Sequence, residues 1–263
     1  MTENQNKAQA ALDLLQAFNR KERYHLLRDA VIGGPFPLTG DFKARLAHAV
    51  GLEPIPKDAD VYVAMDYHFD WIAAALYLAE QYGEEGPSDS SSSEPFKRAD
   101  WHVSDNSHNP NKYGAEGEGK VIHGNQEDVD LLVAYIRDGL LQLLLVEAKV
   151  ESGWSGSQLE SKGDRVADIF GQKGEKFGFV DARFVLAGPP RKDGKAPAFD
   201  PEKVKKLPVP MFYDSTGPRQ PKNMYRMELV ADQPLYQPTR TSKKGQEYLE
   251  WKVTKSFPGK SES

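Results

Sequence analysis

Glu147 and Lys149 interrupt the run Leu140–Val150, which is otherwise almost wholly apolar and reads as a buried strand. Two residues apart on a strand, their side chains leave from one face. Charges carried into a core are costly unless they are paired or bind an ion. Upstream lies a second apolar run, 128–136, and between the two stands Asp138-Gly139, the dipeptide favoured in a tight type I′ hairpin turn. Counting back from that turn sets Arg137 opposite Leu140, Asp130 opposite Glu147 and Asp128 opposite Lys149. Facing β-carbons lie about 5 Å apart on the same side of the ladder. Two facing carboxylates repel, and both stay ionised only with a cation between them. A hard divalent ion such as Mg²⁺ suits carboxylate, water and phosphate oxygens together. An adjacent lysine then steadies a phosphate or orients the attacking water. The chemistry expected is hydrolysis of a phosphodiester. The plain alternative is a cross-strand ion network at the rim of a sheet.

The elements that must hold these groups follow from periodicity and turn signals. Residues 6–30 have helical spacing of Leu12, Leu15, Phe18, Leu26 and Leu27, with a break at Gly33–Gly40. Further helices are expected over 41–52 and over 58–83, the second apolar on most sides. A Ser-, Gly- and acid-rich stretch, 84–118, reads as a flexible loop. Strands follow at 120–123, 128–136 and 140–150. A helix over 155–172 is marked by Ser157 and Glu160 in capping-box spacing. Another strand covers 177–188, ended by Pro189 and Pro190. The remainder offers a strand near 223–232 and a hairpin turning at Lys243-Lys244-Gly245. The expected class is α/β: a mixed sheet with an antiparallel hairpin, flanked by helices. Residues 1–58 form an N-terminal helical region, 59–190 the core, and 191–263 a β-rich extension packed on it.

At these residues the chain resembles the PD-(D/E)xK nuclease superfamily, whose fold is restriction-endonuclease-like. Asp130, then Glu147-Ala148-Lys149, then a helix carrying Gln158 match its motif. The order helix, three antiparallel strands, helix, strand over about 60–188 matches its core. Val129 stands where the motif has proline. The resemblance implies a magnesium-dependent nuclease, with Mn²⁺ able to substitute, acting on nucleic acid and most often on DNA. It implies that Asp130 and Glu147 hold the metal, that Lys149 activates water or stabilises phosphate, and that Gln158 supports them. Some relatives add a histidine or acid from the helix before the sheet. Here His68 is the candidate, with Asp66 and Asp70 beside it and Glu80 farther along.

Other groups could touch a substrate. Lys162 and Arg165, three apart on the helix after the site, could meet a phosphate backbone, although a solvated helix face also accounts for them. Trp154 could stack on a base or simply pack over the sheet end. Arg240, Lys243 and Lys244 make a basic hairpin tip near Tyr236, Tyr248 and Trp251.

Composition removes several classes. The 263 residues contain no cysteine, so a thiol nucleophile and thiolate metal sites are out. There is no P-loop, dinucleotide fingerprint, H-E-x-x-H or G-x-S-x-G. A net charge of −5 argues against a general polyanion coat but not against a local basic groove. No apolar run spans a bilayer and no signal-peptide pattern opens the chain, so no membrane partner and a cytoplasmic location are expected. A catalytically inactive module of the same fold, binding nucleic acid or protein, is the main rival. An assembly protein using the charged patch as an interface and RNA as the substrate are the others. The oligomeric state is open, a homodimer among the options.

Overall fold

The computed structural model describes residues 2–18, 21–32, 35–83, 122, 124, 127–148, 156–171, 176–188, 224–229, 235–240 and 251–256. Three helices come first: α1 (Glu3–Ala17), α2 (Glu22–Leu27), which runs into a π-helical turn (Arg28–Ile32), and α3 (Gly40–Ala49). Then follow β1 (Tyr62–His68), α4 (Phe69–Tyr82), β2 (Asp128–Arg137), β3 (Leu140–Ala148), α5 (Gly156–Phe170), β4 (Val180–Gly188) and β5 (Met224–Glu228). Finally β6 (Leu235–Arg240) and β7 (Trp251–Ser256) pair antiparallel as a separate two-stranded sheet. The first five strands form one sheet in the order β1-β2-β3-β4-β5. Its first three strands are antiparallel neighbours, and β4 and β5 add in parallel. The class is α/β with a mixed sheet.

β3 is the central strand, and its near-continuous apolar sequence follows from that position, since both of its faces are covered. Leu141, Leu143 and Leu145 meet Leu132, Ala134, Phe184 and Leu186 under α1, α4 and α5. Leu144 and Val146 meet Val133, Tyr135, Val185 and Ala187 under Leu46 and Val50 at α3. α1 shares the first of these cores through Ala8, Ala11, Leu12 and Leu15, and Tyr67 donates its hydroxyl to Leu15 O at 2.8 Å. The hairpin turn has the expected form: Asp138 and Gly139 adopt φ of 52° and 75°, and Arg137 pairs with Leu140.

Three expectations change. Residues 58–83 are not one helix: 62–68 is a strand, and His68 starts a helix with no linker between. The strand stretch contains Tyr62, Val63 and Tyr67, which favour a pleated, half-buried surface. Because the helix begins at the very next residue, the apolar pattern runs on unbroken and hides the change of period. The helix expected over 6–30 is two, divided where Phe18 and Lys21 take extended ψ of 156° and 154°. α5 begins at Gly156, which puts Ser157 inside its first turn rather than at the cap. The strand expected at 120–123 falls largely outside the described residues, and Ile122 lies in no strand. The loop expected at 84–118 lies outside them altogether. No helix among the described residues is long and apolar enough to cross a membrane.

The Tyr135 hydroxyl is a buried polar group with no hydrogen-bond partner among the described residues. Burial pushes this phenol above its ordinary value, against the opposing pull of Arg137 and Arg183. The folded state therefore resists an ionisation that the unfolded chain accepts. Its contribution to stability is present below the ordinary phenol pKa and is lost as pH rises through that range. Tyr135→Phe is expected to change stability at neutral pH by no more than about 1 kcal/mol, because no hydrogen bond is lost. It should also flatten the alkaline decline. Urea unfolding at neutral and alkaline pH checks both; a large neutral-pH loss would mean that the hydroxyl is bonded.

Candidate functional site

Glu147 lies near the end of β3, on the face shared with Leu143 and Leu145, and is only 4% exposed. A carboxylate there is removed from water, which costs several kcal/mol unless a counter-charge is supplied. α5 supplies it. Lys162 Nζ forms a salt bridge with Glu147 Oε2 and also donates to Asp128 O at 2.6 Å. Lys162 precedes Val166 by one turn and Ile169 by two, so it rides the stripe of α5 that faces the core. It is a buried ion-pair partner, with 16% of its side chain exposed, and not a solvated phosphate contact.

Arg165 is corrected in the same way. It is 1% exposed and forms a salt bridge with Asp70 Oδ1 at the start of α4. Asp168 Oδ2 lies 3.8 Å from its other terminal nitrogen. Gly124 N donates to the second Asp70 oxygen at 2.8 Å, and Lys176 Nζ donates to Asp168 O at 3.0 Å and to the Tyr77 hydroxyl at 3.1 Å. Its charge therefore ties α5 to α4 inside the protein, and a phosphate outside cannot reach it.

Asp130 sits where the strands become irregular. The β2–β3 ladder runs from Arg137–Leu140 back to Leu131–Val146, one step short of Asp130–Glu147. At that step Asp130 Oδ2 accepts the Ala148 amide at 2.7 Å, a side chain taking the place of the next ladder bond. Val129 and Leu132, three apart, both belong to the first core, so strict alternation slips at Asp130. The same happens on β1, where Ala64 and Tyr67 share that core and Asp66, with φ 50°, falls between them. Asp66 is the position opposite Asp130, and its pair is missing from an otherwise continuous register. The sequence rule that sets Asp130 and Glu147 side by side thus meets a local slip. Asp130 is exposed and turned onto Ala148, whereas Glu147 is buried beneath α5.

The remaining acids have partners. Asp128 forms a salt bridge with Lys21 from the extended link before α2, and Asp66 Oδ2 lies 3.1 Å from Arg23 Nη2. Glu80, near the end of α4, is 3.3 Å from Lys7 of α1. His68 is the last residue of β1 and caps α4: its Nδ1 accepts the Asp70 amide at 3.2 Å, and its ring packs 5.3 Å from Trp71. It is therefore not on a helix before the sheet, and capping accounts for it. Gln158 lies in the first turn of α5, with only its backbone described. Lys149, Trp154, Lys243 and Lys244 lie outside the described residues.

Carboxylate oxygens are the right donors for a hard divalent ion. Among the described residues, however, no three His, Asp or Glu side chains group as a metal cage. Glu147 could serve such an ion only if Lys162 gave way. Lys21 is a participant that the sequence does not announce, and Lys162 enters as the partner of Glu147 where the sequence suggests a phosphate contact. The Lys162–Val166–Ile169 spacing was the available signal for Lys162; for Lys21, distant in the chain, there was none. Comparisons with protein-family models, curated proteins and solved structures return no match to this chain.

Arg165→Met should lower stability by about 3–5 kcal/mol, because it leaves buried Asp70 and Asp168 without their cation. Arg165→Met/Asp70→Leu should recover part of that loss. Urea unfolding measures it; a variant of normal stability with weakened DNA binding would restore the phosphate-contact role instead.

Proposed function

We propose that the chain is a restriction-endonuclease-like, metal-dependent nuclease that hydrolyses phosphodiester bonds of nucleic acid, with DNA as the expected substrate. The observation that carries the proposal is the placement of Asp130 and Glu147 at one end of adjoining strands, Lys149 two residues beyond Glu147. Around them the elements run β1, α4, β2, β3, α5 and β4, with β1 to β3 antiparallel and β4 parallel to β3; the helix falls between the first two strands, not before all three as the resemblance implies. Mg²⁺ or Mn²⁺, when bound, would supply charge neutralisation for the phosphate and a more acidic water. Asp130 and Glu147 would hold the ion. Lys149 would steady the phosphate, and Gln158 would assist from the start of α5. The β6–β7 hairpin, whose register brackets Lys243 and Lys244, is a candidate for contacting the strand outside the site.

A second reading has its own support. The Lys162–Glu147 pair satisfies the buried carboxylate without any metal. A catalytically inactive module of the same fold, binding nucleic acid or protein, would show that arrangement.

The test is incubation with linear, circular and single-stranded DNA, with and without Mn²⁺. Wild type is expected to cleave only with the metal. Lys149→Ala should reduce the rate by roughly 10²–10³-fold, the usual cost of removing one group that stabilises transition-state charge. Glu147→Ala should abolish cleavage. Metal-independent binding without cleavage, unchanged in Glu147→Ala, would favour the inactive module.

A further inference from the structure

The acid end of the sheet is covered by a segment with few anchors. We infer that α2 and its π-helical turn form a strap over this end, docked by Lys21 on Asp128 and by Arg23 on Asp66, and that nucleic-acid phosphates draw it off these carboxylates. The inference rests on the nuclease proposal for the polyanion and for the use of the freed acids, and on the structure for the strap.

A helix of 6 residues is too short to persist alone in water, so α2 holds its form only while it is docked. Tyr24 is its one buried side chain, with its ring 4.8 Å from that of Phe36, and the π turn buries none. α1, by contrast, buries Ala8, Ala10, Ala11, Leu12, Leu14 and Leu15 and opens with a capping box at Thr2, whereas no side chain caps α2. The outer face of the segment carries Leu26 and Val31, 67% and 73% exposed, so apolar burial adds little to the docking. Charge supplies the rest. Arg23 Nη2 lies 3.1 Å from Asp66 Oδ2 although its side chain is 68% exposed, and Lys21 reaches Asp128 from the extended link before the helix. Ion pairs this close to water contribute little and are screened by salt. A nucleic-acid backbone offers both cations competing oxyanions. Beneath the strap, Asp66 Oδ2 and Asp128 Oδ1 are buried and accept no hydrogen bond among the described residues. Both acids adjoin the exposed Asp130: Asp66 stands opposite it on β1, and Asp128 precedes it on β2. Undocking therefore adds two carboxylates to one that already faces solvent.

The experiment is amide hydrogen exchange of the full chain, read by mass spectrometry at low and high NaCl in metal-free buffer. Relative to their intrinsic rates, amides of α2 should exchange at least about a hundredfold faster than those of β3, because they open without global unfolding. High salt should speed α2 by about threefold more, as should Arg23→Gln or Asp128→Asn at low salt, with α1 and β3 unchanged. Lys7→Met, which removes the ion pairs of α1 with Glu3 and Glu80, should leave α2 as it is. A single-stranded DNA oligonucleotide should speed α2 exchange in wild type and have no such effect in Lys21→Gln/Arg23→Gln. Exchange of α2 in step with β3 at every salt overturns the strap, and so does an oligonucleotide that slows α2 or leaves it unchanged. Cleavage assays with Mn²⁺ on the same wild-type sample separate the two levels. Cleavage without any opening of α2 by the oligonucleotide removes the strap and leaves the nuclease. Opening by salt and oligonucleotide without cleavage keeps the strap and removes the activity.

Discussion

A carboxylate on the central strand, covered by a helix, constrains everything around it. Glu147 sits between parallel β4 and antiparallel β2 under α5, where water cannot solvate its charge. The chain answers with Lys162, and that choice fixes the face of α5 that meets the sheet. Once Lys162 points inward, Val166 and Ile169 follow on the same stripe and close the first core. Arg165 is carried against α4, where Asp70 waits at the helix start. Charge pairing and apolar burial thus set the same rotation of one helix.

Buried ion pairs are weak evidence for added stability, since desolvation cancels much of the attraction. Their value in this molecule is better read as register. A leucine in place of Glu147 would let α5 slide along an apolar sheet; a carboxylate accepts one lysine at one height. The same end of the sheet carries a matched irregularity at Asp66 and Asp130, where alternation slips on two neighbouring strands. Asp66 holds a left-handed backbone uncommon for a residue with a side chain. The acidic groups of β1, β2 and β3 (Asp66, Asp128, Asp130 and Glu147) therefore collect where the ladder is least regular, while the hairpin end is closed by the Asp138-Gly139 turn.

Much of the scaffold is legible in the sequence. The hairpin register, the mixed sheet, the helix after β3 and the strand after it all follow from turn chemistry and apolar runs, which are local signals; that this strand lies parallel to β3 is shown by the structure. The side-chain geometry was legible only in part. Period-two alternation carries Glu147 to its face but fails at Asp130, because a slip depends on φ values that no residue type announces: Asp66 is not a glycine. β1 was hidden because α4 starts at the next residue, without a turn to separate two periods. The charge of Lys162 and Arg165 suggests a phosphate contact or a solvated face, although their spacing with Val166 and Ile169 turns them inward. Residue type outweighed position there, and position was the better guide. Lys21 meets Asp128 across more than a hundred residues of chain, a contact that only the fold creates.

The most direct test of this account is a double-mutant cycle on Glu147→Gln and Lys162→Met, read by urea unfolding in metal-free buffer. A buried pair in contact predicts a coupling energy of about 2–3 kcal/mol, with each single variant much less stable than the double variant would suggest. Coupling near zero would mean that the lysine does not neutralise the carboxylate, and the charge at the centre of the sheet would need another explanation.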